Sequence, residues 1–446
     1  MGIGRGTADV VGRRTELDVL GGALANLDRG TGVAIRLRSA AGMGKTTLLD
    51  WLSTRTSRTV IRLTGSESDA QLAYSGLASL MRTLDALDVN VPEPHAEVLA
   101  DAIGSGSTQG QLTVGAATLA ALAAAGEKSP LLLLVDDAHW VDEPTCVVLA
   151  FALRRLHDEP IVAVVAERPG AWSAFDSAGF ETIDLEALDI DDAIAILGPA
   201  THPDVAQRCL DAAEGNPLAL LEIARTLDDD QLAGRSPMTS DLPVGQVLRS
   251  FVDRIKALGD EARQALAVVA TAFDSSARDI HLAAKDFAGA DAALAATDAA
   301  GITRQTTTSV DLTHPLMRTA IREAVGPDQI RDAHAAFARV VTDPGKRAWH
   351  LASAVTGPDE SIAGALEAVA MVADRRGGWS AAAATWERAA SLSPTVPQRH
   401  RRLLAAGTSR WHAADPFAAI SVLDEVVSTC DDPLVRSDAI GIRSEG

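Results

Sequence analysis

Cysteine is scarce in this chain of 446 residues, which contains only Cys146, Cys209 and Cys430. The three cysteines lie far apart in sequence, form no C-x-x-C pair and have no histidine cluster beside them. Metal sites and dithiol redox motifs need closely spaced ligands, so the spacing disfavours both. The sequence therefore predicts three buried free thiols in a reducing compartment.

Positive charge is also in deficit, because 40 Lys and Arg residues face 60 Asp and Glu residues, giving a formal net charge of −20. Binding to nucleic acid without sequence preference needs a broad basic surface. We therefore expect no direct DNA binding by this chain. Hydrophobic residues make up 47% and charged residues 22% of the sequence, a balance that lets most of it fold. The length suggests about two to four domains.

Long hydrophobic runs are missing as well. The longest apolar tract, residues 112–126, is rich in alanine and is interrupted by Thr113, Gly115 and Thr118. A membrane-spanning helix needs about 20 predominantly apolar residues. The first six residues also lack the apolar core of a signal peptide. We expect a cytoplasmic protein with no membrane partner.

Short runs of Val, Ile and Leu alternate with longer helical patterns over the first 170 residues. The predicted strands are 33–37, 59–63, 131–135 and 161–166, and the predicted helices are 46–56, 73–84, 112–125 and 145–156. Buried parallel strands read as continuous apolar runs of this kind. The pattern predicts an α/β domain over residues 7–175, with a three-layer αβα core of the P-loop NTPase type.

The strand signal fades after Pro169, and residues 185–232 are predicted to form a helical lid. A linker over 233–243 precedes a domain at 245–325, with helices at 247–258, 260–270 and 287–299. Short extended segments at 302–305 and 309–312 follow, an order typical of a winged-helix-like domain. Because the chain is acidic, a structural or regulatory role is favoured over DNA binding for this domain.

Residues 330–446 are helical and rich in alanine, with Trp349, Trp379, Trp386 and Trp411 set among small residues. Segments 362–376, 379–391, 398–414 and 416–429 form helix pairs with a period of about 35–40 residues, typical of a TPR-like α-solenoid. We interpret the aromatic side chains as packing between helices. No polar capping repeat closes the array, so we expect either partners that cover this end or a longer regulator of which this chain is a part.

A phosphate-binding loop is predicted where the first strand ends. The pattern G-x-x-x-x-G-K-[ST] is present as Gly44-Lys45-Thr46, except that Ser39 stands where the first glycine is expected. In such a loop the N–H groups around Gly42 and Gly44 surround a phosphate and the lysine reaches the β and γ oxygens. The hydroxyl of Thr46 is expected to bind Mg²⁺, and Thr47 to complete the nucleotide site. We expect Ser39 to weaken the geometry at most.

A second acidic site is predicted about 90 residues further on, where the apolar strand 131–135 runs into Asp136 and Asp137. We expect Asp136 to hold Mg²⁺ and Asp137 to polarise the water that attacks the γ-phosphate. Arg168 follows the next strand and is predicted to contact the γ-phosphate, because the carboxyl ends of parallel strands meet at one edge. The alternative for Arg168 is a surface arginine.

Three further segments resemble those of a known family. Val11-Gly-Arg-Arg-Thr-Glu-Leu17 precedes the loop, Asp136-Asp-Ala-His-Trp140 ends the acidic strand, and Gly215-Asn-Pro-Leu-Ala-Leu220 lies in the lid. Together with His314-Pro-Leu-Met-Arg318 and the repeats, they resemble the signal-transduction ATPases with numerous domains, known as STAND ATPases. The chain is most similar to the N-terminal half of the large ATP-binding regulators of the LuxR family.

The resemblance implies roles for residues outside the loop. It implies that Val11, Gly12 and Arg13 line the adenine end of the site and that Pro217 of the lid touches the nucleotide. It also implies that His314 holds the ADP β-phosphate in the closed state. The alternative for His314 is a histidine of the core or the surface. We interpret His139 and Trp140, which follow Asp137, as residues that fix the loop.

The resemblance implies a regulatory switch that binds ATP or ADP with Mg²⁺, hydrolyses ATP slowly, closes with ADP and self-associates with ATP. An inducer, a small molecule or a protein, is expected to act through the helical repeats. Members of that family end in a helix-turn-helix about twice as far along the chain, so their DNA binding is not transferred to this polypeptide. Two alternatives stay open: a non-hydrolysing nucleotide-binding interaction scaffold, and the ATPase module of a cyclase-type signalling protein.

Overall fold

The structure is a computed structural model, and it describes most of the chain. The described residues are 10–65, 70, 72–104, 110–156, 159–170, 173–225, 227–236, 246–272, 276–306, 309–313, 315–413 and 415–444.

Five parallel strands form the central sheet of the N-terminal part, in the order β2-β3-β4-β1-β5. They are β1 (Val33–Arg38), β2 (Thr59–Thr64), β3 (Leu131–Asp136), β4 (Ile161–Glu167) and β5 (Glu181–Asp184). Every residue of β3 and β4 is buried, as their continuous apolar sequence predicts. Because β4 pairs with β1 on one side and β3 on the other, the loops that follow these three strands meet at one edge.

Six helices cover the two faces of this sheet. They are α1 (Arg14–Asp28), α2 (Lys45–Arg55), α3 (Ser75–Ala86), α4 (His95–Ile103), α5 (Gln111–Lys128) and α6 (Glu143–Leu153). Helices α1 and α2 bury leucines against one face, and the other four helices pack against the opposite face. The three-layer αβα fold and the four predicted strands are confirmed.

Strand β5 lies after Pro169, where the strand signal of the sequence fades, and it was not predicted; it pairs with β1 from Ile35↔Glu181 to Arg38↔Asp184. This strand is four residues long, lies at the sheet edge and is largely exposed. Such an edge strand is held by main-chain hydrogen bonds on one side and needs no apolar run, so hydrophobic patterning does not detect it. Helices α1 and α4 were also not predicted.

Four short helices follow the sheet: α7 (Ile190–Leu197), α8 (Pro203–Ala213), α9 (Pro217–Arg225) and α10 (Asp229–Leu232). They enclose a separate apolar core that includes Ala193, Cys209 and Leu220. This is the region predicted as the lid, and its helical character is as expected.

Five helices and a hairpin come next: α11 (Gln246–Lys256), α12 (Asp260–Thr271), α13 (Ala277–Ala284), α14 (Ala290–Ala299), β6 (Thr303–Gln305), β7 (Val310–Leu312) and α15 (Pro315–Val325). Strands β6 and β7 pair antiparallel, which confirms the two short extended segments that were predicted at 302–305 and 309–312. The helix expected over 287–299 begins only at Ala290, and α13 was not predicted. Assignment of this region to the winged-helix class stays a prediction.

Seven further helices complete the described chain: α16 (Pro327–Val340), α17 (Pro344–Ala354), α18 (Glu360–Arg375), α19 (Trp379–Ser391), α20 (Val396–His412), α21 (Pro416–Thr429) and α22 (Pro433–Ser444). Each packs on the next in sequence, as in a solenoid. Trp386 is buried between helices, and its indole N–H donates to Asp374 at 2.8 Å, which confirms its packing role.

All three cysteines are buried free thiols, as predicted. Within the described residues, we find no helix that combines the length and hydrophobicity needed to cross a bilayer.

One buried carboxylate joins helices α3 and α6 beneath the loop that follows β3. Asp142 is completely buried and caps α6 by accepting from the N–H of Thr145 at 3.0 Å. It also accepts from the N–H groups of Tyr74 at 2.7 Å and Gly76 at 2.9 Å. Burial raises the pKa of Asp142, and the hydrogen bond from Gly76 acts against that rise. The start of α3 is thereby tied to the segment that follows Asp136.

Replacement Asp142→Ala is expected to lower the free energy of unfolding by about 3 kcal/mol, because it leaves several buried N–H groups without acceptors. Asp359 is a matched control, since it also caps a helix, accepting from the N–H groups of Ser361 and Ile362, but it is only partly buried. Asp359→Ala is expected to cost about 1 kcal/mol. Urea unfolding of both variants checks the difference, and equal losses would contradict the assigned role of Asp142.

Candidate nucleotide-binding site

The loop between β1 and α2 has the backbone shape of a phosphate cradle. Gly42 and Gly44 both have positive φ angles, 81° and 96°, which residues with a Cβ atom rarely adopt. Ser39 is not among the described residues with positive φ, so its position does not require glycine here. No side chain caps the N-terminus of α2, and its first N–H groups are therefore available to an anion.

The Lys45 side chain lies inside this loop and is only 6% exposed. Its ammonium donates to the carbonyl oxygens of Ser39 at 2.8 Å and Ala40 at 3.0 Å. Burial lowers the pKa of Lys45, and the charge of Asp137 opposes that change. These contacts keep the ammonium where phosphate oxygens would bind, with neutral acceptors that a phosphate can replace.

The end of β3 faces the start of α2. The Thr46 hydroxyl donates to the carboxylate of Asp136 at 3.3 Å, although the two residues are 90 positions apart. Arg62 of β2 also donates to Asp136, at 2.8 Å, and forms a second ion pair with Asp50. Burial acts to lower the pKa of Arg62, but the hydrogen bonds to Asp50 and Asp136 outweigh it and raise the pKa.

Arg62 was not predicted to belong to the site. The signal that would have found it is a single cation within an otherwise uncharged strand, next to the strand that ends in Asp136.

Asp137 begins the turn after β3 in a left-handed conformation with φ of 47°. Burial raises its pKa, and the neighbouring charge of Asp136 adds to that rise, whereas Arg168 and Lys45 oppose it. Arg168 follows β4, and its Nε is buried without an acceptor among the described residues. The positive charge of Arg168 also acts to lower the pKa of Lys45. The structure thus brings Lys45, Asp136, Asp137 and Arg168 into one electrostatic site.

His139 is held within the same turn rather than in open solvent. Its Nε2 lies 3.9 Å from an Asp137 oxygen, too far for a hydrogen bond. Burial, together with the charges of Arg168 and Lys45, lowers the pKa of His139 to about 4. The ring is therefore neutral near pH 7 and contributes packing beside Trp140, whose ring centre lies 5.3 Å away.

The predicted lid region contacts the loop directly. The Asn216 side chain donates to the carbonyl oxygen of Ala41 at 2.8 Å, and its oxygen accepts from the N–H of Leu218 at 3.0 Å. A Cβ atom on Gly42 would lie 2.7 Å from that same oxygen, so a larger residue there would displace the Asn216 side chain in addition to straining the positive φ. Pro217 begins α9 at this point. Asn216 belongs to the Gly215–Leu220 motif, but the sequence predicted no contact for it.

Replacement Asn216→Asp is expected to speed release of bound nucleotide by about tenfold, because it removes one interdomain hydrogen bond and sets a charge against the Ala41 carbonyl. The carboxylate still caps α9 as an acceptor. Asn216→Ala loses both functions and is expected to release nucleotide at least as fast. Stopped-flow chase of a fluorescent ADP analogue measures these rates; unchanged release by both variants would show that the contact does not retain nucleotide.

The segment before α1 lies at the junction of loop and lid. Arg13 has φ of 63° and donates through Nη2 to the carbonyl oxygen of Met43 at 3.3 Å. A Cβ atom on Gly12 would lie 2.6 Å from the carboxylate of Asp192 in α7. Val11 is partly buried next to them. The contact between adenine and this segment stays a prediction, and so does the role of Thr47, which is exposed on α2. His314 lies outside the described residues.

The residues of this site fit a magnesium nucleotide. The positive-φ glycines, the open helix end and the enclosed ammonium suit phosphate oxygens, and the paired Thr46 and Asp136 oxygens suit Mg²⁺. Bound Mg²⁺ would neutralise charge on the β and γ oxygens. The fold and this donor set define a P-loop nucleotide-binding domain.

The N-terminal part of the chain is similar to a known class of nucleotide-binding domain. Residues 9–165 match the family model described as the AAA ATPase domain. This part of the chain is therefore similar to AAA ATPase domains, a class that binds nucleotide. No curated protein sequence matches the chain.

Several solved structures match parts or most of the chain. A signal transduction ATPase with numerous domains that has a tetratricopeptide repeat sensor, from Pyrococcus horikoshii, is 12% identical with a TM-score of 0.51, covering 98% of this chain and 67% of its own. A RuvB mutant from Thermotoga maritima (13% identical, TM-score 0.32) and Drosophila ORC bound to DNA (15%, 0.33) cover 70% of this chain and 95% of theirs. These two scores are too low to support an argument. The first likeness supports a fold of ATPase core followed by repeats.

Proposed function

We propose that this protein is an ATP-dependent regulatory switch of the STAND type, in which nucleotide bound at the 39–46 loop controls how core, lid and repeats are arranged. The observation that carries the proposal is the contact between Thr46 and Asp136 beside the enclosed Lys45. An ATPase core followed by helical repeats, as in the Pyrococcus relative, supports a signalling role rather than a metabolic one.

The lid contacts supply the switching element. Asn216 and the N–H of Leu218, at 3.4 Å from the Gly42 carbonyl, hold the lid against the same loop that would bind phosphate. A change in that loop on nucleotide binding is therefore transmitted to α9, and α9 contacts α11 of the next unit. Hydrolysis returns the loop to its ADP form, and a switch needs this step to be slow.

We further propose that the switch is of the transcriptional-regulator type found in the large LuxR-family proteins. The motifs that support this are Asp136-Asp-Ala-His-Trp140 and Gly215-Asn-Pro, together with the repeats after residue 330. In this proposal ADP holds the closed state with help from His314, ATP permits self-association, and an inducer acts through the repeats.

The test is sustained phosphate release by the purified protein with ATP and Mg²⁺. We expect slow turnover that stops when EDTA removes Mg²⁺, since the ion that Thr46 and Asp136 would hold is needed to neutralise charge on the phosphate oxygens. Binding of ATP without any turnover would favour the non-hydrolysing scaffold. Absence of both binding and turnover would overturn the proposal.

A further inference from the structure

A cavity of about 1260 Å³ lies between the ATPase core and the helical repeats, away from the phosphate loop. Its core wall comes from α3 and α4, and its repeat wall comes from α18 and the segment between α16 and α17. Sites for small organic ligands occupy roughly 300–1,000 Å³, so the cavity has room for a ligand of that class.

The walls of this cavity are mainly apolar. Met81 and Leu99 on the core side face Val369 and Val372 on the repeat side, with small residues such as Ala365 between them. Ligand sites typically combine such walls with a few polar groups that fix orientation. An apolar body would be buried here between two units of the protein.

The inner end of the cavity holds the half-buried Arg376, whose charge is favoured by Asp142 and Asp343 without forming an ion pair with a carboxylate among the described residues. The Arg376 guanidinium donates to the carbonyl oxygens of Ala73 at 3.1 Å and Ile103 at 3.0 Å, both in the core. Among the described residues no carboxylate forms an ion pair with it, and its Nε has no acceptor. Burial lowers the pKa of Arg376, as expected for a cation with too little compensation.

Tyr74, the only tyrosine of the chain, lines the same end, and its buried hydroxyl has no partner among the described groups. Arg376 and Tyr74 are both hydrogen-bond donors, so together they suit an acceptor that carries negative charge.

The acidic residues around the cavity do not alter this conclusion. Asp85 and Glu93 lie at its exposed rim, where water screens them. Asp343 accepts from the N–H of Lys346 at 2.7 Å, and Asp279 accepts from the Ser276 hydroxyl at 3.0 Å. These carboxylates are therefore solvated or already hydrogen-bonded, whereas the described hydrogen-bond partners of the Arg376 guanidinium are two neutral carbonyl oxygens.

We infer that this cavity binds a small amphipathic carboxylate, with its apolar body between α3 and α18 and its anionic group paired with Arg376. Such a ligand would replace or share the Arg376 contacts with Ala73 and Ile103, which connect the repeats to the core. The inference does not depend on ATP hydrolysis, and its test needs no nucleotide.

The experiment is calorimetric titration of the full chain with decanoate and with indole-3-acetate, each below its aggregation limit, and with decanol and decylammonium as uncharged and cationic comparisons. We expect saturable binding of at least one carboxylate and at least about tenfold weaker binding of the comparisons. Absence of saturable binding by both carboxylates, or equal binding of decylammonium and decanoate, would overturn the inference.

Variants locate the binding. Arg376→Gln is expected to weaken carboxylate binding about tenfold or more, and Arg375→Gln, an exposed neighbour outside the cavity, to leave it unchanged. Ala368→Trp fills the cavity from an exposed position of α18, and Met371→Trp, also exposed on α18 but outside the cavity, is its control. Binding that survives both Arg376→Gln and Ala368→Trp is not at this site. If Arg376→Gln fails to fold, comparison of Ala368→Trp with Met371→Trp still shows whether the carboxylate binds in this cavity.

Discussion

Replacement Lys45→Ala is expected to reduce the affinity for ATP by at least about 100-fold, because it removes the one buried ammonium that the described residues place in the phosphate loop. Charge-assisted hydrogen bonds to phosphate are strong in an enclosed site, where water does not screen them. Neither Arg13 nor Arg168 replaces this contact, since Arg13 is bonded to Met43 and Arg168 follows a different strand. Calorimetric titration with ATP and Mg²⁺ measures the loss.

The matched control is Lys285→Ala, which removes an exposed lysine at the end of α13. We expect its ATP affinity to equal that of the unmodified protein. Lys45→Ala also removes the donor from the carbonyls of Ser39 and Ala40, so circular dichroism should show that the variant keeps its helical content. A folded Lys45→Ala variant that binds ATP normally would exclude the 39–46 loop as the phosphate site.

The central sheet could be predicted because its strands are buried on both faces. Burial on both faces demands continuous apolar sequence, as in Leu131–Asp136 and Ile161–Glu167, and such runs are visible without any tertiary information. Strand β5 could not be found this way, since its side chains are mostly exposed and its stability comes from pairing with β1. Helix α14 begins at Ala290 rather than at residue 287, because the local sequence pattern does not determine the exact first residue of a helix.

The residues of the candidate site also fall into those that the sequence predicts and those that only the fold reveals. Residues adjacent in sequence to a motif, such as Lys45 and Asp136, could be predicted because the motif itself fixes their positions. Arg62 and Asn216 could not, because each reaches the site from an element that only the fold brings near. A contact across 175 positions, such as that of Asn216 with Ala41, is a property of the packed lid and leaves no local pattern.

The contact between core and repeats at Arg376 is likewise invisible in the sequence. Its partners Ala73 and Ile103 are about 300 residues away and offer only main-chain oxygens. Main-chain acceptors carry no side-chain signature, so the sequence shows an ordinary arginine at the end of a helix. The structure shows that this helix end joins the repeats to α3, whose first turn is held by Asp142 next to the candidate Mg²⁺ strand.

Replacement Asp137→Asn is expected to leave ATP binding nearly unchanged and to slow phosphate release by at least about 100-fold, the size of a general-base contribution. Asparagine keeps the shape of the side chain and tolerates the left-handed backbone at φ of 47°, so the turn after β3 should persist. The amide cannot accept a proton from the attacking water. Single-turnover hydrolysis with ATP prebound separates this loss from any loss of binding.

Asp88 provides the control, because it is another aspartate with positive φ but is fully exposed and remote from the loop. Asp88→Asn is expected to hydrolyse ATP at the normal rate.

The pH dependence of hydrolysis gives a second test of Asp137. Burial and the charge of Asp136 raise the pKa of Asp137. Its carboxylate form, and with it hydrolysis, is therefore lost as pH falls through a value above the pKa of an ordinary aspartate. Asp137→Asn should abolish that acid limb, because the residue that titrates is gone. A variant that keeps both normal turnover and the limb would assign the water-polarising role to another group.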